Sequence, residues 1–343
     1  MEVPCQPASA IHRRRSAGRY DCFAAPPMNG ARRYGTPMPI CQPNSLAAQQ
    51  HPLHSQFRAL LRAADERRQQ GQYAQAEPLY RRALWLAESA FGAERPEVAV
   101  ALNNLAMLYK YTGNFDEAES LYHRALTITE QAMGADHPDL ATLYHNLGGL
   151  GHARGRYAQG EPYARRSVEI RERALGPDHV DVAADIAALA ALLDGQGKYD
   201  ESEPLYRRAL TVFEREYGPE HYEIAVNLNN LGALKQAQGR ADEAEGLYRR
   251  ALAMKEKLLG ADHPDVAMTL NNLAVLLKKQ EKYEEAAALY RRTLAIFEAA
   301  LGAEHPNVVT CRKNYAGLLR KLKGDPRLTT HWPCGSPDQK IFA

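Results

Sequence analysis

No run among the 343 residues approaches the roughly 18 to 20 consecutive apolar residues of a membrane-spanning helix, and the start of the chain lacks the apolar core of a secretory signal. Cysteine is scarce. Three of the five (Cys5, Cys22, Cys41) fall in the first 41 residues and no Cys-x-x-Cys occurs, which argues against both a disulfide framework and a zinc clip. An excess of either charge is missing as well: 43 lysines and arginines stand against 41 acids, so no global field favours nucleic acid or anionic lipid. The phosphate-cradling Gly-x-x-x-x-Gly-Lys-Ser/Thr, Gly-x-Ser-x-Gly and His-Glu-x-x-His are absent too. These absences lead to the expectation of a cytoplasmic protein with no cofactor, no metal, no nucleic acid partner and no membrane partner.

Both ends have the composition of loose chain. Residues 1–52 carry eight prolines, six arginines, no lysine and only Glu2 and Asp21 as acids, too little apolar surface to offset chain entropy. A disordered leader is expected over 1–53 and a disordered tail over 323–343. The acid-poor leader is weakly similar to an organellar transit peptide, and Arg13-Arg14-Arg15 to a nuclear or phosphate-contacting patch; short basic runs are more often solvated chain.

Between the ends the chain repeats itself. Gly92, Gly134, Gly176, Gly218, Gly260 and Gly302 recur every 42 residues, as do Gly71, Gly113, Gly155, Gly197 and Gly239, with Glu281 in the sixth place. The glycines divide each unit into two segments with helical spacing. Leu102, Leu105, Ala106 and Tyr109 form one stripe of a first helix, and Phe115, Ala118, Tyr122 and Ala125 one stripe of a second. In Gly134-Ala135-Asp136-His137-Pro138 the glycine suits a helix end and the proline the first turn of the next helix. A single hairpin cannot cover its own apolar face, so the units must stack. The pattern predicts repeats over 54–93, 96–135, 138–177, 180–219, 222–261 and 264–303, a capping helix over 306–322, and a folded array over 54–322.

These residues resemble the tetratricopeptide repeats, in the 42-residue form of kinesin light chains. The resemblance rests on Leu-Asn-Asn-Leu-Ala/Gly (102–106, 228–232, 270–274), Glu-x-Leu-Tyr-x-Arg-Ala-Leu (119–126, 245–252) and Gly-Ala-Asp-His-Pro (134–138, 260–264). It implies an all-α fold, a right-handed superhelical solenoid of six helix-turn-helix repeats with a C-terminal capping helix, and a non-enzymatic scaffold or adaptor that binds a peptide segment of another protein in its concave groove. The alternative is a regulatory or sensor protein that binds a small peptide or metabolite and changes curvature. Kinesin light chains join their motor through an N-terminal heptad coiled coil, which the proline-bearing first 52 residues cannot form.

The histidines at 137, 179, 221, 263 and 305 sit beside acids but occur once per hairpin, too far apart to share one ion, and are expected as turn residues. Arginine pairs such as Arg81-Arg82 and Arg249-Arg250 have acids within a turn and are expected as a solvated, internally paired face.

Asparagines are the stronger candidates. With about 100° per residue, Asn103 lies near 100° and Asn104 near 200° from the packing stripe, while Lys110 returns to the ridge of Asn103 and Lys278 to that of Asn271. In this family the first helix of each unit lines the concave surface, so the resemblance places Asn103, Lys110, His145, Asn146, Asn229, Asn230, Asn271, Asn272, Lys278, Lys313 and Asn314 along a groove. Amides there can pair with the main chain of an extended peptide. For Asn104, Asn230 and Asn272 a bond to the neighbouring helix is an equal alternative. The fourth repeat replaces the amides with Ala187 and Ala188, and the cations from Lys278 to Lys321 lead to the expectation of an acidic ligand segment at the C-terminal end. Gly148, Gly149 and Gly151 predict a soft point in the third repeat.

Overall fold

The computed structural model describes residues 52–324; the expected leader (1–53) and tail (323–343) lie outside the described residues except at their inner edges, where 52–53 and 323–324 are helical. Thirteen helices follow one another: α1 Pro52–Gln69, α2 Tyr73–Phe91, α3 Pro96–Thr112, α4 Phe115–Met133, α5 Pro138–Ala153, α6 Tyr157–Leu175, α7 Val180–Gly195, α8 Tyr199–Tyr217, α9 Tyr222–Ala237, α10 Ala241–Leu259, α11 Pro264–Lys279, α12 Tyr283–Leu301 and α13 Pro306–Gly324. They pair into six hairpins stacked as a right-handed superhelical solenoid, closed by α13.

The helix ends follow from the recurring residues. Gly134 closes α4 with φ of 88° and ψ of 160°, a backbone region essentially open to glycine alone. The next helix opens on His137, whose Nδ1 accepts the backbone N–H of Asp139 at 3.2 Å. His179, His221, His263 and His305 accept from residues 181, 223, 265 and 307 in the same way. The recurring histidines are therefore helix caps, and no cluster of metal-binding residues occurs among the described residues.

Outer and inner helices differ sharply in burial. The even-numbered helices bury one stripe, as α4 does with Ala118, Tyr122, Ala125, Ile128 and Thr129. Odd-numbered helices away from the ends are more enclosed: every residue of α3 from Glu97 to Lys110 and of α9 from Tyr222 to Lys235 is buried, whereas α1 buries only Phe57, Leu61, Ala64, Asp65 and Arg68. Polar ties hold repeats in register on the outside. Arg81, Arg165, Arg207 and Arg249 pair with the acid four residues before each, as expected. The second arginine of several pairs reaches back to the preceding repeat, Arg166 to Asp136, Arg208 to Glu172 and Arg292 to Glu256.

The core falls into two bodies. One spans Phe57 to Ile170, the other Val182 to Leu322, and a small cluster of Ala164, Leu189, Leu192 and Leu193 lies between them. Tyr80, Tyr122, Tyr206, Tyr248 and Tyr290 fill the same buried place in five repeats, while the third has Ala164. Glycine makes up the lost volume by letting α5 and α6 approach closely. A Cβ on Gly151 would stand 2.8 Å from the Cα of Gly160. Gly151 of α5 thus serves packing, which its helix propensity alone does not reveal.

The superhelix also returns onto itself. His263 Nε2 lies 3.2 Å from the carbonyl oxygen of Gln69, and His305 Nε2 2.8 Å from that of Tyr111, each across 194 residues.

Candidate functional site

The inner helices bring the asparagines together as a ladder. Asn146 Nδ2 donates to Asn103 Oδ1 at 2.8 Å, and Asn103 Nδ2 to Asn104 Oδ1 at 3.2 Å. Asn272 Nδ2 likewise donates to Asn229 Oδ1 at 3.2 Å, and Asn229 Nδ2 to Asn230 Oδ1 at 3.5 Å. Each rung joins the second amide of one repeat to the first amide of the repeat before it.

This corrects the expected exposure. Asn103, Asn146, Asn229, Asn230, Asn271 and Asn272 are all buried, as is Lys110, instead of facing an open groove. The helical angle of about 100° per residue correctly takes them off the packing stripe. Inner helices of a tightly wound array nevertheless cover one another, so being off the stripe does not expose them.

The ladder is interrupted where alanines replace the amides. His145, half-buried, takes the place of the first amide in the third repeat, and its Nδ1 lies 2.7 Å from Asp185 Oδ1. The other oxygen of that buried carboxylate is 2.8 Å from Arg171 Nε. Asp185 and Arg171 therefore belong to the inner-face network, although neither shares a motif with the asparagines. Their only signal in the sequence is an unusual charge, Asp185 at a place that is Leu143 or Ala101 in the preceding repeats and Arg171 at one that is Thr129 or Ala87.

A second series lies near the C-terminal ends of the inner helices, where successive repeats carry Arg68, Lys110, His152, Asp194, Gln236, Lys278 and Arg320. Burial, followed by the charge of Arg68, pushes the Lys110 ammonium down to about 7. Burial and then Lys110 hold the His152 imidazole down to about 3. Lys278 is lowered by burial and then by Lys321 and Arg320, which places these three cations in one field.

The C-terminal end is open. Lys278 Nζ donates to the backbone oxygen of Asn314 at 3.0 Å, Asn314 is half-buried, and Lys313, Arg320 and Lys321 are exposed. Among the described residues none of these four cations is paired with a carboxylate, unlike the outer-face arginines. The ladder also ends here without its acceptor filled: Asn271 Oδ1, buried, meets no donor among the described residues. Asn271 and Lys278 lie on one ridge of α11, seven residues apart.

The geometry agrees with comparisons against known proteins. A tetratricopeptide repeat family model matches residues 55–131, 97–159, 139–201, 183–257, 223–299 and 265–328. No curated protein matches. Among solved structures, BtubC (BKLC) from P. vanneervenii is 26% identical with a TM-score of 0.47, over 75% of this chain and 95% of that one. A putative kinesin light chain of Podosopora anserina with nearly identical TPR-like repeats is 22% identical with a TM-score of 0.48, over 61% of this chain and 98% of that one. A Rap protein complexed with competence and sporulation factor is 15% identical with a TM-score of 0.50, over 78% of this chain and 89% of that one. With six matched repeats spanning the described helices, the chain belongs to the tetratricopeptide repeat family.

Proposed function

We propose that the protein is a non-enzymatic adaptor of the cytoplasm that holds an acidic segment of a partner protein against the C-terminal end of its inner helices. The carrying observation is the pairing of unneutralised cations with an unfilled amide acceptor. Lys278, Lys313, Arg320 and Lys321 lack carboxylate partners among the described residues, and Asn271 Oδ1 lacks a donor. An extended peptide supplies both needs, a main-chain N–H for the amide and carboxylates for the cations. The Lys110 end is less suited, because burial drives that ammonium toward its neutral form.

A peptide-array screen with the full chain tests this reading. Acidic peptides should be enriched among the bound ones, and Lys313→Glu with Arg320→Glu should weaken them at least tenfold. Binding that is insensitive to this charge reversal would refute the assignment. The sensor reading draws support from the contact of the superhelix with itself, since a curvature change needs a defined closed form. It predicts a rise in melting temperature with a small peptide in the absence of any protein partner.

A further inference from the structure

The two contacts across 194 residues share one design. In each, a histidine that opens an inner helix uses Nδ1 to accept the N–H two residues on, at 3.1 Å for both His263 and His305. The proton then resides on Nε2, which donates to the carbonyl of Gln69 at the end of α1 and to that of Tyr111 in the last turn of α3. In each, the following proline seats on a glycine of the earlier turn: a Cβ on Gly71 would lie 3.4 Å from Pro264, and one on Gly113 would lie 3.0 Å from Pro306. Gly155, Gly197 and Gly239 occupy the same place in later repeats and face open space. The seat extends beyond the glycine, since Tyr73 is close enough to feel the charge of Asp265 and its ring stacks on Tyr111 at 5.9 Å.

We propose that these two His-Pro corners form a latch that keeps the superhelix closed by fastening its first two inner helices to its last two. Two further observations support the idea that the chain can open. The latch joins the first body of the core to the second at a distance from the small Ala164–Leu193 cluster between them, so one junction can act as the hinge. The contact runs through two hydrogen bonds, two proline seats and the Tyr73 side of the first seat, whereas the packing within each body is continuous.

Histidine also caps its helix, so alanine would confound two roles. Asparagine caps as well and lacks the distal donor. The test is therefore His263→Asn with His305→Asn in the full chain, set against His137→Asn with His179→Asn, which alters two caps that make no contact across turns. Small-angle scattering should show a larger radius of gyration for the first pair alone, at unchanged helix content by circular dichroism. Equal radii of gyration in the two pairs would overturn the latch. Scattering needs no ligand, so it decides the latch independently of whether the groove reading stands.

Discussion

Asn146 Nδ2 donates to Asn103 Oδ1 at 2.8 Å, and three repeats later Asn272 and Asn229 make the same bond at 3.2 Å. These amides therefore hold repeats to one another whatever else they bind. Asn103→Ala would leave the buried Asn146 amide unpaired and should cost about 1–3 kcal/mol of stability in urea unfolding. Asn103→Ala combined with Asn146→Ala should cost less than the two single changes together. If Asn103 served only a bound peptide, the single change would leave stability unaltered.

The repeat period, the hairpins and the arginine pairing could all be read from the chain, because each arises within one or two adjacent units. The enclosure of Asn103 and the approach of His305 to Tyr111 could not. The first depends on how closely neighbouring inner helices wind against one another, and the second on a small rotation per repeat that accumulates over more than four repeats; no local pattern encodes either. The Asp185 network was hidden for a different reason. His145, Arg171 and Asp185 replace amide and apolar residues once each, so they look like drift in the period until the structure brings them together.

Glu281 stands where five other repeats have glycine, with φ of 63°, the sole non-glycine residue with positive φ among the described residues. The left-handed conformation costs a residue with a Cβ roughly 1–2 kcal/mol. Glu281→Gly should raise the melting temperature, less the entropy that glycine adds to the unfolded chain, for a net gain of about 1 kcal/mol or less. A lower melting temperature would mean that the exposed Glu281 side chain makes a stabilising contact.

Glu223, enclosed in α9, has its carboxyl raised to about 8 from an ordinary value near 4.5, through burial first, opposed by Lys255 and aided by Asp181. Between those values the folded form holds a proton that the unfolded form has lost. Stability from this group is thus complete below about 4.5 and is lost as pH rises to about 8. Lys110 and His152, both held below their ordinary values, act in the opposite sense, so the prediction is read as a difference: the urea midpoint of the parent chain relative to that of Glu223→Gln should fall from pH 5 to pH 8.5, two conditions at roughly either end of that window.

Asn227 lies in the same helix at the place of Asp185 one repeat earlier, and both ends of its buried amide lack partners among the described residues. A buried amide without hydrogen bonds costs roughly 1–3 kcal/mol by protein mutational measures. Asn227→Leu keeps similar volume and removes that cost, as Leu143 already does in the third repeat. Calorimetry should show a higher melting temperature for the variant. A decrease would indicate that the amide has a role in an opened form of the array.

Gly148 and Gly151 separate the two effects of glycine in the third repeat. Both lie inside α5, where glycine costs about 1 kcal/mol relative to alanine. A Cβ on Gly148 would meet Ala164 at 3.4 Å, an ordinary contact, whereas one on Gly151 would press on the Gly160 backbone at 2.8 Å. Gly148→Ala should therefore stabilise the protein slightly and slow hydrogen exchange over residues 140–153. Gly151→Ala should destabilise it, because α6 cannot retreat without opening the cluster of Ala164, Leu189, Leu192 and Leu193 that joins the two core bodies. If the glycines served only to loosen the helix, both substitutions would stabilise, so opposite signs in a pair of urea titrations distinguish close packing from local softness.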